Sequence, residues 1–505
     1  MLATEIASAR ETAPPICKGF PVILPGSGGA PQIARIVDGD RRQVVLRSWD
    51  EEVSSVHYVH AFDHLGNEMP GWPLTEASPG DPMNALLEPV AAVDLDPRFP
   101  GEEIVVSCAS GNPETYCRPS AFHGDGSAVP GWPPAETIEV TAGLGTTAVI
   151  VPLPGMWLGS RIAVLLSRLS SMLSPDATKT AYLHLLDAAG VLVPGWPRTV
   201  TRTGLFYYSD AAIADIDRDG APEIIVAMDG VGVEAIRLDG STAAGWPVSY
   251  GAEMPSAPVA GDLDGDGQPE VVFIQDGQVW VLTGDGTVAP GFPVFIPLPV
   301  WYFPIVADLD GDATLEILAG MFNPSDSGSG GVAVWRRDGS AYPGAPFMAD
   351  GGVFAPPVVA DLDGDGRAEI AVGTYNTSAA VFHSDGTLYA GFPQRLLPGR
   401  GITGVLYGPA VGDIDADGDV ELLMTTVNNI GFTEETRLHC WDFPGADGTG
   451  QGSWRAHRGD AWNRATVVAP LVPSLPRPSG GVILLLSAGV MLGIAGRSRK
   501  WSGRR

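Results

Sequence analysis

Short apolar runs recur along the chain in pairs, each pair split by an acidic stretch. The run before the split is small-sided: AAIAD ends at residue 215, PVAGD at 262, PIVAD at 308, PVVAD at 361 and PAVGD at 413. The run after it is rich in β-branched residues: EIIVA from 223, EVVF from 270, EILAG from 316, EIAVG from 369 and ELLM from 421. A third apolar run follows, then a turn such as RLDGS, TGDGT, RRDGS or HSDGT, then a Gly-aromatic-Pro. Apolar runs this short, punctuated by Asp-Gly, predict strands joined by tight turns rather than helices.

The Gly-aromatic-Pro stands at 19, 71, 131, 195, 245, 291 and 391, with PGAPF at 343–347 as a worn copy. It alternates with the acidic stretch at intervals of about 46 to 64 residues. Worn acidic copies lie at RIVDGDRRQVVL from 35 and AVDLDPRFPGEEIVV from 92, and the copy near 150 has lost its acids. A unit of four antiparallel strands at this period is one blade of a β-propeller. The predicted fold is therefore all-β. Eight blades are favoured, with seven as the alternative if the decayed unit drops out.

The phase of the repeat predicts how the ring closes. The chain opens on a fourth strand and ends on second and third strands, so the N-terminal strand completes the last blade. That places Cys17 beside Cys440, and a bond across so long a loop would stabilise by about 4 to 5 kcal/mol. Cys108 and Cys117 flank a polar stretch and could close a small loop; four free thiols is the other reading. The aromatic of Gly-aromatic-Pro is expected to pack between neighbouring blades.

The acidic stretch reads as a metal loop. Asp262, Asp264 and Asp266 take positions 1, 3 and 5, Gly267 permits the turn at 6, Gln268 offers its backbone carbonyl at 7, and Glu270 stands at 9. The same set recurs as Asp215, Asp217, Asp219, Ala221 and Glu223; as Asp361, Asp363, Asp365, Arg367 and Glu369; and as Asp413, Asp415, Asp417, Asp419 and Glu421. Ala221, Arg367 and Asp419 likewise contribute only their carbonyls. Asp308, Asp310, Asp312 and Glu316 form a fifth copy with Ala313 in place of glycine, expected to bind more weakly. The Asp94 copy carries Arg98 at position 5 and is expected to hold no ion. An all-oxygen set suits Ca²⁺ better than Mg²⁺. An EF-hand would need Glu at position 12, where the copies have apolar residues.

This loop, with its framing strands and spacing, resembles the FG-GAP/VCBS repeats of integrin α-subunit heads and bacterial surface propellers, over about residues 17–470. The resemblance implies four or five calcium ions that stiffen blades rather than perform chemistry. Five such ions would bring the formal charge of −29 to about −19.

The charge argues against nucleic acid as a partner, because phosphate attracts basic surfaces. No G-x-S-x-G, H-E-x-x-H, P-loop or dinucleotide fingerprint appears. His57, His60 and His64 read as a solvated strand face, and Arg458-Gly459-Asp460 as part of a terminal W…R-T segment. The irregular stretch 134–210, with Arg161, Lys179, Arg198 and Tyr207, is the remaining place for an active site.

The C-terminus divides into a Pro/Gly linker (471–481), an apolar run (482–496) read as a hydrophobic tail helix, and a basic tail (497–505). With Leu475-Pro476-Arg477-Pro478-Ser479 ahead of it, this resembles the PEP-CTERM sorting tail of bacterial envelope proteins, with Arg477 where the family has Glu. The resemblance implies membrane association and processing by an exosortase-type transpeptidase. Five basic residues after the run would keep that end cytoplasmic. Residues 1–16 lack the apolar stretch of a secretory leader, which puts the expected start upstream of Met1. The resulting expectation is a calcium-stabilised binding or adhesion module for a protein or glycan on the cell envelope. The alternative is a polysaccharide lyase or hydrolase on the same scaffold.

Overall fold

The computed structural model describes residues 13–50, 56–77, 90–96, 98–106, 119–132, 147–151, 161–168, 178–203, 208–228, 230–251, 253–323, 329–396, 407–430, 433–445 and 466–467. The strands among them pair into eight sheets. Taken in chain order as blades 1 to 8, the first strands are Gln32–Ala34, Ala91–Val93, Thr147–Val151, Tyr208–Ala214, Val259–Gly261, Ile305–Ala307, Val358–Ala360 and Ala410–Gly412. These innermost strands pack against one another from blade to blade, as in a propeller. They are short and small-sided because ring strands converge there, and only small residues fit side by side.

The second strands are the β-branched runs, such as Glu270–Gln275 and Glu369–Gly373, buried on both faces. They sit mid-sheet between neighbouring blades, which explains their continuous rather than alternating hydrophobicity. The buried residues link blade to blade: one cluster spans blades 1 to 4, a second blades 4 to 7, a third blades 7 and 8, and a fourth blades 8 and 1.

Ring closure follows the predicted phase. Val22–Pro25 pairs antiparallel with Thr433–Phe443 as the outer strand of blade 8. Cys17 and Cys440 are disulfide-bonded, with Cα atoms 5.4 Å apart. Cys108 and Cys117 lie outside the described residues, as do the tail segment 482–496 and Arg458 to Asp460. Among the described residues, no helix is long and apolar enough to cross a membrane.

The Gly-aromatic-Pro joins successive blades. The indole Nε1 of Trp72, Trp132, Trp196 and Trp246 donates to the carbonyls of Gly124, Ala188, Leu238 and Gly284 in the next blade, at 2.9 to 3.0 Å. Its glycine is required by position as well as conformation. Gly245 has φ 89°, and a Cβ there would collide with the Asp285 carbonyl of the next blade's Asp-Gly turn.

Two expectations are corrected. His57 and His60 are not on a solvated face: both are buried, and His60 bonds Ser48 Oγ at 2.8 Å and Glu68 Oε1 at 2.7 Å. Their strand is sandwiched between blades, so both of its faces are covered. The stretch 134–210 is not an irregular insertion. Thr147–Val151, Arg161–Arg168, Thr178–Asp187 and Arg198–Thr203 make a complete four-stranded blade 3, and Arg198 is held by Glu234 of blade 4 at 2.8 Å. This unit has the four strands and the Gly-aromatic-Pro at 195, but neither the acidic loop nor the Asp-Gly turn. Tyr207 is outside the described residues.

Thr466–Val467 is a strand that the repeat pattern does not predict. It pairs parallel with Val259–Gly261, the innermost strand of blade 5, and so lies in the channel along the ring axis.

Candidate metal centres at the acidic loops

Each acidic loop joins the first strand of a blade to the second, at one end of the ring. Its shape comes from its own carboxylates. Position 1 accepts the N–H of position 6: Gly220 to Asp215, Gly267 to Asp262, Ala313 to Asp308 and Gly366 to Asp361, all 2.9 to 3.0 Å. Position 3 accepts the N–H of position 5 in the loops of Asp217, Asp264, Asp363 and Asp415, at 3.1 to 3.2 Å. Position 5 accepts the N–H of position 7, as from Ala221 to Asp219, Gln268 to Asp266, Thr314 to Asp312, Arg367 to Asp365 and Asp419 to Asp417, at 2.7 to 2.9 Å. These bonds curl the loop inward and aim the remaining carboxylate oxygens at one point.

Position 9 braces the loop. Oε2 of Glu223, Glu270, Glu316, Glu369 and Glu421 accepts the N–H of position 2, at 2.7 to 3.1 Å. Blade 1 makes the same bond with a neutral amide, Ile36 N–H to Gln43 Oε1 at 3.0 Å, so the brace itself needs no charge. The second oxygen of each glutamate is what remains for a cation.

Position 4 also matters, although the pattern of acids does not single it out. Gly265, Gly311 and Gly364 have φ 76°, and Arg218 and Ala416 share this left-handed region at 60° and 66°. A glycine at position 4 in three loops was the available signal. Ala313 at position 6 adopts φ 68° and keeps its hydrogen bond to Asp308. Its loop therefore retains the shape of the others, at the cost of a strained residue.

The residues present fit a calcium ion. In blades 4, 5 and 6 one oxygen each from positions 1, 3 and 9 lies within 4.8 Å of the others, as do Asp361, Asp363 and Asp365 in blade 7. Two ligands across an ion with bonds of about 2.3 to 2.6 Å stand at most about 5 Å apart. Asp262 is 4% exposed, yet its Oδ1 has no hydrogen-bond partner; Asp310 Oδ1 is likewise buried and unpartnered. Buried carboxylate oxygens without donors are costly unless a cation supplies the charge. The electrostatics agree. Burial first, then the neighbouring aspartates, push Glu223, Glu270 and Glu316 up to about 7 and Glu421 up to about 8. Burial also pushes Glu369 up to about 8.

In blades 2, 4 and 7 a residue just after the third strand reaches the loop, and this distinguishes those sites. In blade 4, Arg237 reaches Asp217 at 2.5 Å, while Arg218 reaches Asp266 of the next loop at 2.6 Å. In blade 7, His383 Nδ1 stands 3.2 Å from Glu369. In blade 2 position 5 is basic instead of acidic. Arg98 pairs with Asp96 through two bonds of 2.6 and 2.7 Å, and His123, stacked on Phe99, sits 3.0 Å from Glu103. The arginine brings a positive charge to Asp96 from the solvent side, its side chain 73% exposed, while Asp94 Oδ1 stays buried without a partner.

Residues 262–319, 308–372 and 361–424 match the FG-GAP-like repeat family. No curated protein matches the chain significantly. Among solved structures, the chain is similar to the biofilm matrix protein Bap1 of V. cholerae, at 11% identity and TM-score 0.54 over 95% of this chain and 98% of that one. It is also similar to the Bacillus licheniformis rhamnogalacturonan lyase PL11, at 14% identity and TM-score 0.44 over 84% and 91% of the two chains. A third similar structure is the quinohemoprotein alcohol dehydrogenase ADHIIG of Pseudomonas putida HK5, at 12% identity and TM-score 0.43 over 90% and 78%. At such identities the likeness concerns the fold alone. Blades 5 to 8 thus carry three overlapping FG-GAP-like repeats within an all-β propeller.

Proposed function

We propose that the chain is a non-enzymatic binding module displayed on the outside of a bacterial cell, with calcium in its acidic loops as a structural ion. The residues that would hold the ion are Asp215, Asp217, Asp219 and Glu223; Asp262, Asp264, Asp266 and Glu270; Asp308, Asp310, Asp312 and Glu316; Asp361, Asp363, Asp365 and Glu369; and Asp413, Asp415, Asp417 and Glu421. When bound, calcium cross-links the carboxylates of one loop and draws the first two strands of its blade together.

The observation that carries the non-enzymatic reading is the channel. A catalytic propeller would present converging acids, histidines or tyrosines on its inner strands. Here the innermost strands of blades 2, 5, 6, 7 and 8 are buried and apolar, and Thr466–Val467 lies among them. Among the described residues, the glutamates pushed furthest from their ordinary range brace acidic loops or, like Glu102, lie beside one. A disulfide and a fold shared with a biofilm matrix protein support an extracellular setting. Association with the membrane through 482–496 and trimming by an exosortase-type enzyme belong to the same proposal.

The test is turnover against retention. The purified chain, loaded with calcium, is incubated with mixed polysaccharides, and new reducing and unsaturated ends are measured alongside pull-down of the same polymers and of intact cells. Retention without new ends is expected. Release of ends in proportion to added protein would overturn the proposal in favour of a lyase or hydrolase.

A further inference from the structure

The acidic loops and Asp-Gly turns share one end of the blades, so the remaining connections meet at the opposite end. Four aromatic rings gather there over blades 6 and 7. Trp301 precedes the first strand of blade 6, Phe322 ends its second strand, Phe354 precedes the first strand of blade 7, and Tyr375 sits in the turn between that blade's second and third strands. The Trp301 ring lies 5.7 Å from Phe322 and 5.9 Å from Phe354, edge to face. Phe354 stacks on Phe322 at 4.6 Å and meets Tyr375 at 5.2 Å. Phe322 is buried beneath, whereas Trp301 is 37% exposed and Phe354 and Tyr375 are partly exposed.

A fixed carboxylate stands at the Tyr375 end. Asp350 is exposed, but its Oδ1 accepts from the hydroxyl of buried Ser378. Ser378 Oγ in turn accepts from the hydroxyl of buried Thr374 at 2.7 Å. The Asn376 amide donates to the Asp350 carbonyl, and Tyr375 N–H to that of Gly352 at 2.8 Å. The structure therefore holds a solvent-facing acid in one orientation beside a row of aromatic surfaces.

We propose that this row is a binding site for a neutral polysaccharide, with sugar rings laid on Trp301, Phe354 and Tyr375 and a pair of adjacent hydroxyls donating to Asp350. A pyranose offers an apolar C–H face and a rim of hydroxyl donors, and the site offers the complement of each. The sign of the site selects against uronates: its charged group is a carboxylate on a chain of formal charge −29. A lipid headgroup would call for cations, and a protein partner would gain little from a single exposed acid amid the rings.

The inference rests on the chain being a binding module, and the test separates the two. Affinity electrophoresis of the full chain with calcium is run in gels carrying galactomannan, mixed-linkage β-glucan, dextran or polygalacturonate. The wild type is compared with Trp301→Ala, Tyr375→Ala and Asp350→Asn, each checked for an unchanged melting temperature. Asp350→Asn conserves shape at an exposed position and serves if an aromatic variant fails to fold. Retardation by at least one neutral polymer, weakened at least about fivefold by the substitutions, is expected. Retardation that the variants leave intact would overturn this site but not the binding module. Retardation by polygalacturonate alone, or by none of the four, would overturn the neutral-glycan assignment. New reducing ends in the gel lanes would instead overturn the non-enzymatic reading beneath it.

Discussion

Removing calcium should reverse the way stability depends on pH. In the calcium-free protein, burial and then the neighbouring aspartates hold the position-9 carboxyls above their ordinary value of 4.5, at about 7 for Glu223, Glu270 and Glu316 and about 8 for Glu421. Glu369 reaches about 8 for want of solvent as well. Between the unfolded value and these folded values, the native chain holds protons that the unfolded chain has released. Stability then falls as pH rises through the window. Each such proton costs about 1.36 kcal/mol for every step of one in pH. From pH 6.5 to 8.5 the loss is therefore about 2 kcal/mol each at Glu369 and Glu421 and about 1 kcal/mol at each of the other three. Solvent screening in these partly open cages halves the total to about 3 kcal/mol. The range limits a contrary effect: His57, His184 and His439, held down to about 4 chiefly by burial, resist the proton that the unfolded chain accepts, and since unfolded imidazole is half protonated at pH 6.5 the three return about 1 kcal/mol by pH 8.5. With calcium bound the carboxylates are ionised ligands, and binding tightens as protons leave. The assay is the melting temperature of the calcium-stripped and calcium-loaded chain at pH 6.5 and 8.5. The stripped protein should melt several degrees lower at 8.5, and the loaded protein no lower. A stripped protein that gains stability with pH, or a calcium effect of zero at pH 8.5, would refute the reasoning.

Three substitutions test separate parts of the structure. Ala313→Gly relieves a left-handed alanine at φ 68° and should stabilise the protein by about 0.5 to 1 kcal/mol in denaturant titration, after allowing for glycine's extra unfolded freedom. Trp246→Phe keeps a ring between blades 4 and 5 but strips the Gly284 carbonyl of its donor, so a loss of about 1 to 3 kcal/mol is expected in the same experiment. Arg237→Gln removes the cation 2.5 Å from Asp217 and should tighten calcium binding by the blade 4 loop several-fold in calorimetric titration, while the other loops are unchanged.

Most of the ring is legible in the chain alone. Alternating markers at a regular interval define blades because each four-stranded unit must hide the same faces against its neighbours. The offset between those markers and the chain ends dictated closure, and with it the pairing of Cys17 with Cys440. Asp, Asp, Asp and Glu at positions 1, 3, 5 and 9 needed only local backbone to converge, so the loops were readable one at a time.

What the sequence could not decide depends on groups distant along the chain. Whether Arg237 reaches the Asp217 loop depends on the third strand folding back beside the first two. The polar side chains of His57 and His60 read as a solvated strand face, whereas the adjoining blades bury both. Blade 3 lacked the acidic loop and the Asp-Gly turn yet formed four strands, because pairing requires backbone and a neighbour to pack on rather than acids or Asp-Gly. The aromatic row of Trp301, Phe322, Phe354 and Tyr375, with Asp350 at its end, spans 75 residues of sequence and no common motif. Only the winding of blades 6 and 7 around one axis brings those rings together. The sequence by itself determined the repeat, its local loops and its closure, because these rest on short-range geometry and period; tertiary structure alone decided which side chains meet across blades.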